Sequence, residues 1–296
     1  MNFNDYTIPD LTGKKVIITG SNSGIGLYVA KQFVKNGAEV ILACRNQQRA
    51  KDAVESIKQQ IKNAKCTYIN LDLNSFDSIN SFVNEVTKKH HSIDILINNA
   101  GVVIQDVKNT SKDGFDPHIA TNCLGPFILT NKLLPLLEKS EFPRIVTVSS
   151  FAEKVGLFNI NRFAEKKLPG WLSYLQSKIS NLIFSYELNR KLKENNSNIV
   201  SVASHPGLTI THSSQIAKFS FIVKKVGMPI EQGAMSLIIA ATNPDLKGGE
   251  YIGYKNFFNL NGSAGLNKSS KITYNKKVAK QLWTKLEELT NTKFTL

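Results

Sequence analysis

The sequence contains little cysteine. Cys44, Cys66 and Cys123 are the only three among 296 residues, and they form no Cys-x-x-Cys pair. An odd number of widely separated cysteines argues against a disulfide framework and against a structural zinc site. We therefore expect a reducing compartment, the cytoplasm, and no bound metal.

Long apolar runs are also missing. Residues 1–10 lack the basic stretch followed by an apolar one that is typical of a signal peptide. The apolar runs elsewhere are too short to cross a bilayer as helices. We predict no transmembrane segment, and peripheral contact with a membrane stays open.

Acidic residues are in the minority, with 23 Asp and Glu against 37 Lys and Arg, which gives a formal net charge of +14. Such a charge raises the alternative of a nucleic-acid-binding module. The basic residues are scattered singly or in short pairs, however, and form no binding arm. We expect a lysine-rich surface that suits an anionic cofactor, and no nucleic-acid partner.

Strand-like and helix-like segments alternate along the chain. Short apolar, β-branched runs predict seven strands, at 15–19, 39–43, 67–70, 93–97, 144–149, 199–203 and 251–252. Apolar residues at helical spacing predict helices at 24–36, 47–63, 75–89, 114–137 with a break near Gly125-Pro126, 171–194, 230–242 and 278–289.

Strands that are apolar on both faces and separated by helices indicate a parallel sheet that is covered on both sides. We therefore predict one α/β domain over residues 1–296, with a doubly wound, mostly parallel seven-stranded Rossmann sheet and helices on both faces. No element is predicted for 151–170 or 207–229. Loops of that length are typical of lids and binding loops.

A glycine-rich turn follows the first strand and opens the first helix. It comprises Gly20, Ser21, Asn22, Ser23, Gly24, Ile25 and Gly26. Glycines let backbone N–H groups approach a pyrophosphate, and the helix N-terminus adds its positive dipole end. This context predicts a nucleotide site, although a plain turn is the alternative.

The end of the second strand bears on the choice of cofactor. Sheets that bind NAD often place Asp or Glu there, whereas residues 43–46 are Ala-Cys-Arg-Asn. Arg45 can form charge-assisted hydrogen bonds with a 2′-phosphate. We predict NADP(H), with a solvated surface arginine as the alternative.

Tyr174 and Lys178 lie four apart on a predicted helix and project from one face. A phenol has a pKa of about 10, and a nearby ammonium lowers that pKa and favours acid–base catalysis. A serine hydroxyl could hold the substrate oxygen, and Ser149 and Ser150 at the end of the fifth strand are the candidates. The pair alone is a weak signal.

Taken together, these motifs resemble the short-chain dehydrogenase/reductase family over nearly the whole chain. The turn at 19–26, Asp72-Leu73, the Asn-Asn-Ala-Gly sequence at 98–101 and the loop with Pro206, Gly207 and Thr211 occur in the family's order. The resemblance implies a catalytic tetrad of Asn122, Ser150, Tyr174 and Lys178. Beyond the turn and Arg45, it implies that the cofactor contacts Asp72, Leu73, Asn99, Ala100, Gly101, Tyr174, Lys178, Pro206, Gly207 and Thr211.

Within the family, the chain is most similar to the retinol dehydrogenase and WW-domain oxidoreductase branch, through 43–46, 122–125, 144–150 and 205–207. This implies NADP and a small lipophilic aldehyde, ketone, retinoid or steroid, and is compatible with a homodimer. We expect no N-terminal membrane anchor of the kind some retinoid enzymes carry. Pro126 and Thr147 stand where histidine and asparagine are common in the branch.

Two alternatives remain open. A non-enzymatic NADP-binding sensor or scaffold could use the same fold. Apolar residues in the two unassigned stretches could line a lipophilic pocket or be ordinary core. These residues are Phe151, Leu157, Phe158, Phe163, Trp171, Ile216, Phe219, Phe221 and Ile222.

Overall fold

A single sheet organises the computed structural model, which describes residues 3, 6–103, 109–155, 158–164, 168–211, 227–256 and 261–296. The strands of this described part are β1 Lys15–Thr19, β2 Glu39–Cys44, β3 Cys66–Asn70, β4 Ile95–Asn98, β5 Arg144–Val148, β6 Val200–Ser204, β7 Tyr251–Asn256 and β8 Asn261–Leu266. Their order is β3-β2-β1-β4-β5-β6-β7-β8, and every pair is parallel except β7 with β8. The chain reverses its direction of winding between β1 and β4, where doubly wound sheets bind ligands.

Helices cover both faces of the sheet. They are α1 Gly24–Lys35, α2 Gln47–Gln60, α3 Phe76–Lys89, α4 Pro117–Ile119, α5 Gly125–Leu137, α6 Ala152–Val155, α7 Gly170–Glu194, α8 Ile230–Thr242 and α9 Lys276–Thr290. Side chains alternate along β1, so that Ile17 joins the core under α3, α5, α7 and α9, whereas Val16 and Ile18 join the core under α1, α2 and α8. The predicted doubly wound α/β fold is confirmed.

The predicted number of strands is wrong, because the structure has an eighth. The sequence of β8 is Asn-Gly-Ser-Ala-Gly-Leu, which lacks the apolar β-branched run used to find the other strands. It is antiparallel to β7 at the edge of the sheet, where one neighbour is sufficient. The seventh strand is also longer than predicted, and its Tyr254 is fully buried.

The helix predicted over 114–137 begins later and is irregular at a different place. It starts at Pro117, and a π turn over Ala120–Leu124 joins α4 to α5. The N–H of Gly125 donates to the carbonyl of Ala120, five residues back. Pro126 has no N–H to offer the carbonyl of Asn122, and the predicted break at Gly125-Pro126 is therefore absorbed one turn earlier.

The two stretches without predicted elements are partly described. Residues 151–170 contain α6 and a 3₁₀ turn at Ile160–Arg162, and Thr209 forms a β-bridge with Met228. Within the described residues, no helix combines the length and apolar character needed to cross a membrane.

Candidate active site

The turn after β1 is closed by glycines. Gly20 and Gly24 have φ of +65° and +56°, in the left-handed region that favours glycine. A Cβ on Gly26 would lie 2.5 Å from Asn99 Nδ2 and 2.7 Å from the carbonyl oxygen of Gly20. Any side chain at position 26 would therefore force the turn open.

Asn99 and Thr19 join this turn to the loop after β4. Asn99 Nδ2 donates to the carbonyl of Thr19 at 2.8 Å. The Thr19 hydroxyl oxygen accepts from the backbone N–H groups of Asn99 at 3.0 Å and Ala100 at 2.9 Å. The two loops thus form one hydrogen-bonded unit at the carboxyl ends of β1 and β4.

A cavity of about 550 Å³ opens above this unit. It is lined by most of the predicted cofactor contacts, namely Gly20, Asn22, Ser23, Gly24, Ile25, Gly26, Arg45, Asp72, Leu73, Asn99, Ala100, Gly101 and Thr211. Ser21 is fully buried instead, and its hydroxyl donates to the carbonyl of Ile18 at 2.7 Å. Its side chain stabilises the turn from beneath.

Other residues of this cavity were missed by the sequence analysis. They are Ala43, Cys44, Asn46, Arg49, Leu71, Val102 and Thr121. Arg49 is the most informative, because it places a second guanidinium in the same cavity as Arg45. It lies in the first turn of α2, where its N–H donates to the capping Asn46 side chain at 2.9 Å. Its spacing of four from Arg45 could have revealed it.

A smaller cavity of about 260 Å³ adjoins the first and shares Ile25, Asn99, Gly101 and Thr211 with it. Its other lining residues are Val103, Val148, Ser149, Ser150, Tyr174, Lys178, Pro206, Gly207 and Thr209. The hydroxyl, phenol and ammonium groups predicted from distant parts of the chain therefore meet in one place. The predicted loop at 206–207 closes the same cavity.

The structure separates the two candidate serines. The Ser149 hydroxyl is buried and donates to the backbone carbonyl of Lys178 at 2.8 Å. Ser150 is half-buried, and its hydroxyl is hydrogen-bonded to the phenol of Tyr174. Ser149 thus fastens β5 to α7, while Ser150 presents a hydroxyl beside the tyrosine.

Burial dominates the electrostatics of Tyr174 and Lys178. It raises the pKa of Tyr174, and the hydrogen bond from Ser150 offsets this only in part. Burial also lowers the pKa of Lys178 to about 8. Lys178 Nζ donates to the carbonyl of Val148 at 3.3 Å. The expected lowering of the tyrosine pKa by Lys178 is thus not the net effect of the protein environment.

Asn122 lies in the π turn and braces the loop after β4. Its Oδ1 accepts from the N–H of Val102 at 2.8 Å, and its Nδ2 donates to the carbonyl of Val102 at 3.1 Å and to Ser177 Oγ at 3.0 Å. Asn122 therefore links that loop to α7 between Tyr174 and Lys178. π turns often occur at functional sites.

A buried carboxylate next to Tyr174 was not found from the sequence. Asp116 Oδ1 accepts from Ser173 Oγ at 2.5 Å, from the N–H of His118 at 2.8 Å and from the N–H of Ile119 at 3.3 Å. The buried ring of His118 packs edge-on against the Tyr174 ring, with the centroids 6.0 Å apart. This cluster connects the start of α4 to the helix that carries Tyr174.

His205 shapes the loop at Pro206. The N–H of Gly207, at φ +64°, donates to His205 Nδ1 at 2.9 Å. The His205 ring also packs against the rings of Tyr251 and Tyr254. These contacts hold Pro206 and Gly207 over the smaller cavity.

The apolar residues suggested for a lipophilic pocket are not at the cavities where they are described. Phe163 is buried core and contacts Phe158, Phe151 is half-buried, and Trp171 is exposed. None of these four described residues lines either cavity. Leu157, Ile216, Phe219, Phe221 and Ile222 lie outside the described residues.

Known proteins are similar to this chain in both sequence and fold. A sequence model of the short chain dehydrogenase family matches residues 14–218. The chain belongs to the short-chain dehydrogenase/reductase family of oxidoreductases. It is 33% identical over 302 residues to human polyprenol dehydrogenase, covering 97% of this chain and 88% of that protein. It is 35% identical over 246 residues to human retinol dehydrogenase 11, covering 80% and 75%.

The fold of this short-chain dehydrogenase/reductase also matches solved structures. A crystal structure of an uncharacterised protein from Mycobacterium paratuberculosis superposes with a TM-score of 0.82 and 31% identity, covering 100% of both chains. With retinol dehydrogenases among its relatives, the predicted resemblance to that branch of the family is confirmed.

Proposed function

We propose that this protein is an NADP(H)-dependent oxidoreductase that interconverts a lipophilic carbonyl compound and its alcohol. The observation that carries the proposal is the convergence of Ser150, Tyr174 and Lys178 on one cavity that adjoins the cavity of the glycine turn. A protein that only sensed a nucleotide would need no phenol and hydroxyl aligned beside its binding site.

The larger cavity fits a dinucleotide phosphate. The glycine turn packs closely against the loop after β4 at the base of this cavity, since a Cβ at Gly20 would lie 2.9 Å from Ala100 Cα and one at Gly26 would lie 2.5 Å from Asn99 Nδ2. Arg45 and Arg49 supply two guanidinium groups for the 2′-phosphate, at the end of β2 and the start of α2. When bound, the cofactor would supply or accept the hydride.

The side chains of the smaller cavity have separate tasks in this proposal. Ser150 Oγ donates a hydrogen bond to the substrate oxygen and orients the carbonyl. The protonated Tyr174 phenol, favoured by burial, transfers its proton to that oxygen as the carbonyl is reduced. Lys178 Nζ stabilises the phenolate that remains, and Asn122 holds the Val102 segment against α7.

The substrate class rests on the relatives. Their names include polyprenol dehydrogenase and retinol dehydrogenase, and polyprenol and retinol are long apolar alcohols. The exposed valine at the cavity, Val103, is compatible with an apolar substrate. A cytoplasmic location and a homodimer are further expectations that we carry forward from the sequence.

Substitution of the tyrosine tests the proposal. Tyr174→Phe removes the proton donor, so we expect turnover of retinal and of simpler aldehydes to fall by at least about 100-fold. NADPH affinity should stay nearly unchanged. Tyr186→Phe is the matched control, because Tyr186 lies on the same helix and its hydroxyl bonds to Ser269 Oγ at 3.0 Å, away from the cavity. Full turnover in Tyr174→Phe would contradict the proposed role.

The cofactor preference has its own test. Arg45→Ala removes charge-assisted hydrogen bonds of about 1.5–3 kcal/mol, so the preference for NADPH over NADH should fall about 10- to 150-fold. Lys51→Ala, an exposed cation on the same helix as Arg49, should leave it unchanged. Equal kcat/KM with both cofactors in the unmodified protein would refute the assignment to NADP.

A further inference from the structure

Tyr174 lies close to the start of the helix that carries it. α7 begins at Gly170, and its N-cap residue is Pro169, whose side chain offers no acceptor to the N–H groups of the first turn. Helix ends fray, so α7 by itself fixes a side chain at this place only weakly. Proton transfer to a substrate oxygen nevertheless requires the phenol at a defined place beside Ser150. Contacts from outside α7 therefore matter for Tyr174.

One carboxylate oxygen supports Tyr174 from two directions. Asp116 Oδ1 accepts from the hydroxyl of Ser173, the residue directly before Tyr174, at 2.5 Å. The same oxygen lies 3.3 Å from Nδ1 of His118, and the His118 ring packs against the Tyr174 ring with an angle of 66° between the two planes. The first contact anchors the backbone beside the tyrosine, and the second orients the ring that packs on the phenol. We call Asp116, His118 and Ser173 the phenol clamp.

The phenol clamp is closed to solvent. His118 and Ser173 are fully buried, and Asp116 is 5% exposed. None of these three described residues lines the larger or the smaller cavity. A substrate or cofactor in those cavities would therefore not touch the clamp, and any effect of the clamp on the reaction passes through Tyr174.

The Asp116 carboxylate does more than cap α4. Burying a carboxylate costs free energy, and an exposed Asp or Ser would cap a helix without that cost. Asp116 also accepts a hydrogen bond from α7, from a residue 57 positions further along the chain. This contact joins the segment that leads into the π turn with Asn122 to the first turns of α7. Asn122 and Tyr174 thus share one support.

We infer that Asp116, His118 and Ser173 are positioning residues that hold the Tyr174 phenol in place for proton transfer. The His118 ring keeps the phenol from tilting away from Ser150, and Asp116 fixes both that ring and the backbone beside Tyr174. This inference rests on the proposed function, in which Tyr174 is the proton donor. It assigns a role in the reaction to three residues that touch no reacting atom.

Two substitutions of His118 separate its ring from its hydrogen bond. His118→Asn keeps an N–H donor close to the position of Nδ1 but removes the ring, whereas His118→Phe keeps a ring against Tyr174 and removes the donor. We expect kcat for an aldehyde to fall about 30- to 100-fold in His118→Asn, because a displacement of about 1 Å can cost that much. In His118→Phe, kcat should fall less than about fivefold. KM and NADPH affinity should stay within about twofold in both variants.

Phe184→Leu is the matched control for a general effect of stability. Phe184 is a buried ring on the same helix, and it packs on Phe127 and Trp283, away from both cavities. The variant should be less stable in urea denaturation but keep its kcat. Equal losses of kcat in Phe184→Leu and His118→Asn would overturn the inference, as would kcat values that do not differ between His118→Asn and His118→Phe.

Ser173→Ala tests the second contact of the phenol clamp and leaves the His118 ring in place. Without its hydrogen bond to Asp116, the backbone beside Tyr174 is less well fixed, and kcat should fall about tenfold with KM unchanged. Ser185→Ala is the control, because Ser185 is a buried serine on the same helix whose hydroxyl lies 3.3 Å from Ser201 Oγ. It should keep full turnover. An unchanged kcat in Ser173→Ala would overturn the inference.

Crystal structures of the variants separate this inference from the proposed function. In His118→Asn, the phenol oxygen of Tyr174 should lie about 1 Å further from Ser150 Oγ than in the unmodified protein. A phenol that stays in place would overturn the inference, whatever happens to turnover. An unmodified protein that turns over no carbonyl would refute the proposed function, and a displaced phenol in His118→Asn would still show that the clamp positions Tyr174.

Discussion

Asp116 offers the sharpest test of how the site is held together. One buried carboxylate oxygen accepts from the hydroxyl of Ser173 and from the backbone N–H groups of His118 and Ile119. It thereby caps α4, which leads into the π turn with Asn122, and it also contacts the residue before Tyr174. Asp116→Ala removes all three hydrogen bonds at once, together with the 3.3 Å contact to His118 Nδ1.

The expected loss of stability can be worked from these contacts. Loss of the N-cap costs about 1 kcal/mol. The Ser173 hydroxyl is fully buried, and leaving it unpaired costs a further 1–3 kcal/mol, roughly. We therefore expect Asp116→Ala to lower the free energy of unfolding by about 2–4 kcal/mol. Asp116→Asn keeps an oxygen acceptor and should lose about 1 kcal/mol.

Urea denaturation of the variants measures this difference. Asp113→Ala is the control, because Asp113 is exposed and its Oδ2 accepts a single hydrogen bond, from the N–H of Phe76 at 3.0 Å. It should lose less than about 1 kcal/mol. Equal destabilisation by Asp113→Ala and Asp116→Ala would refute the reasoning, since the argument depends on burial and on the number of hydrogen bonds.

Acid provides a second readout of the same carboxylate. Burial alone would raise the pKa of Asp116, but hydrogen bonds from His118 and Ser173 outweigh it and the net pKa is lowered. A lowered carboxylate pKa stabilises the fold above the unfolded pKa of about 4, and this stabilisation is lost as the pH falls through the folded pKa. The stability advantage over Asp116→Asn should therefore shrink in acid.

Two further predictions concern the cofactor turn and the lysine. Gly26→Ala should weaken NADPH binding and destabilise the protein by about 1–3 kcal/mol, and calorimetry can measure both effects. Gly24→Ala is the comparison, because its Cβ would approach Thr211 only to 3.7 Å and the variant is strained chiefly by the positive φ at position 24. Burial lowers the pKa of Lys178 to about 8, so the charged form costs stability below that pH and the cost disappears as the pH rises toward the unfolded value. Between roughly pH 8 and pH 10.5, the free energy of unfolding of the unmodified protein should therefore rise by up to about 3 kcal/mol relative to that of Lys178→Met. A difference in urea denaturation that does not depend on pH would contradict this.

The parallel core of the fold could be predicted because its strands are buried on both faces. Ile41 and Leu42 of β2, for example, point to opposite cores and are both apolar, which leaves a continuous run in the sequence. An edge strand has no such requirement. Gly262 and Gly265 in β8 therefore gave no signal, and the strand was missed.

The candidate site was predictable in composition but not in geometry. Spacing placed Tyr174 and Lys178 on one helical face, and the structure agrees. Spacing could not separate Ser149 from Ser150, because both follow the end of β5 and either side chain could face the cavity. Asp116 caps α4 through the nearby N–H groups of residues 118 and 119, but its contact with Ser173, 57 residues away, is made only by tertiary folding, and this contact was missed.

The π turn sets how the residues of α4 are oriented about the helix axis relative to those of α5. It holds one residue more than an ordinary helical turn, and each residue of an α-helix advances the chain by roughly 100°. Deleting one residue from 120–124 would swing the His118 ring around the helix axis and away from Tyr174, while Phe127 kept its place in the core. Related enzymes that lack one residue at this point are thus expected to have a different arrangement of side chains around the residue equivalent to Tyr174.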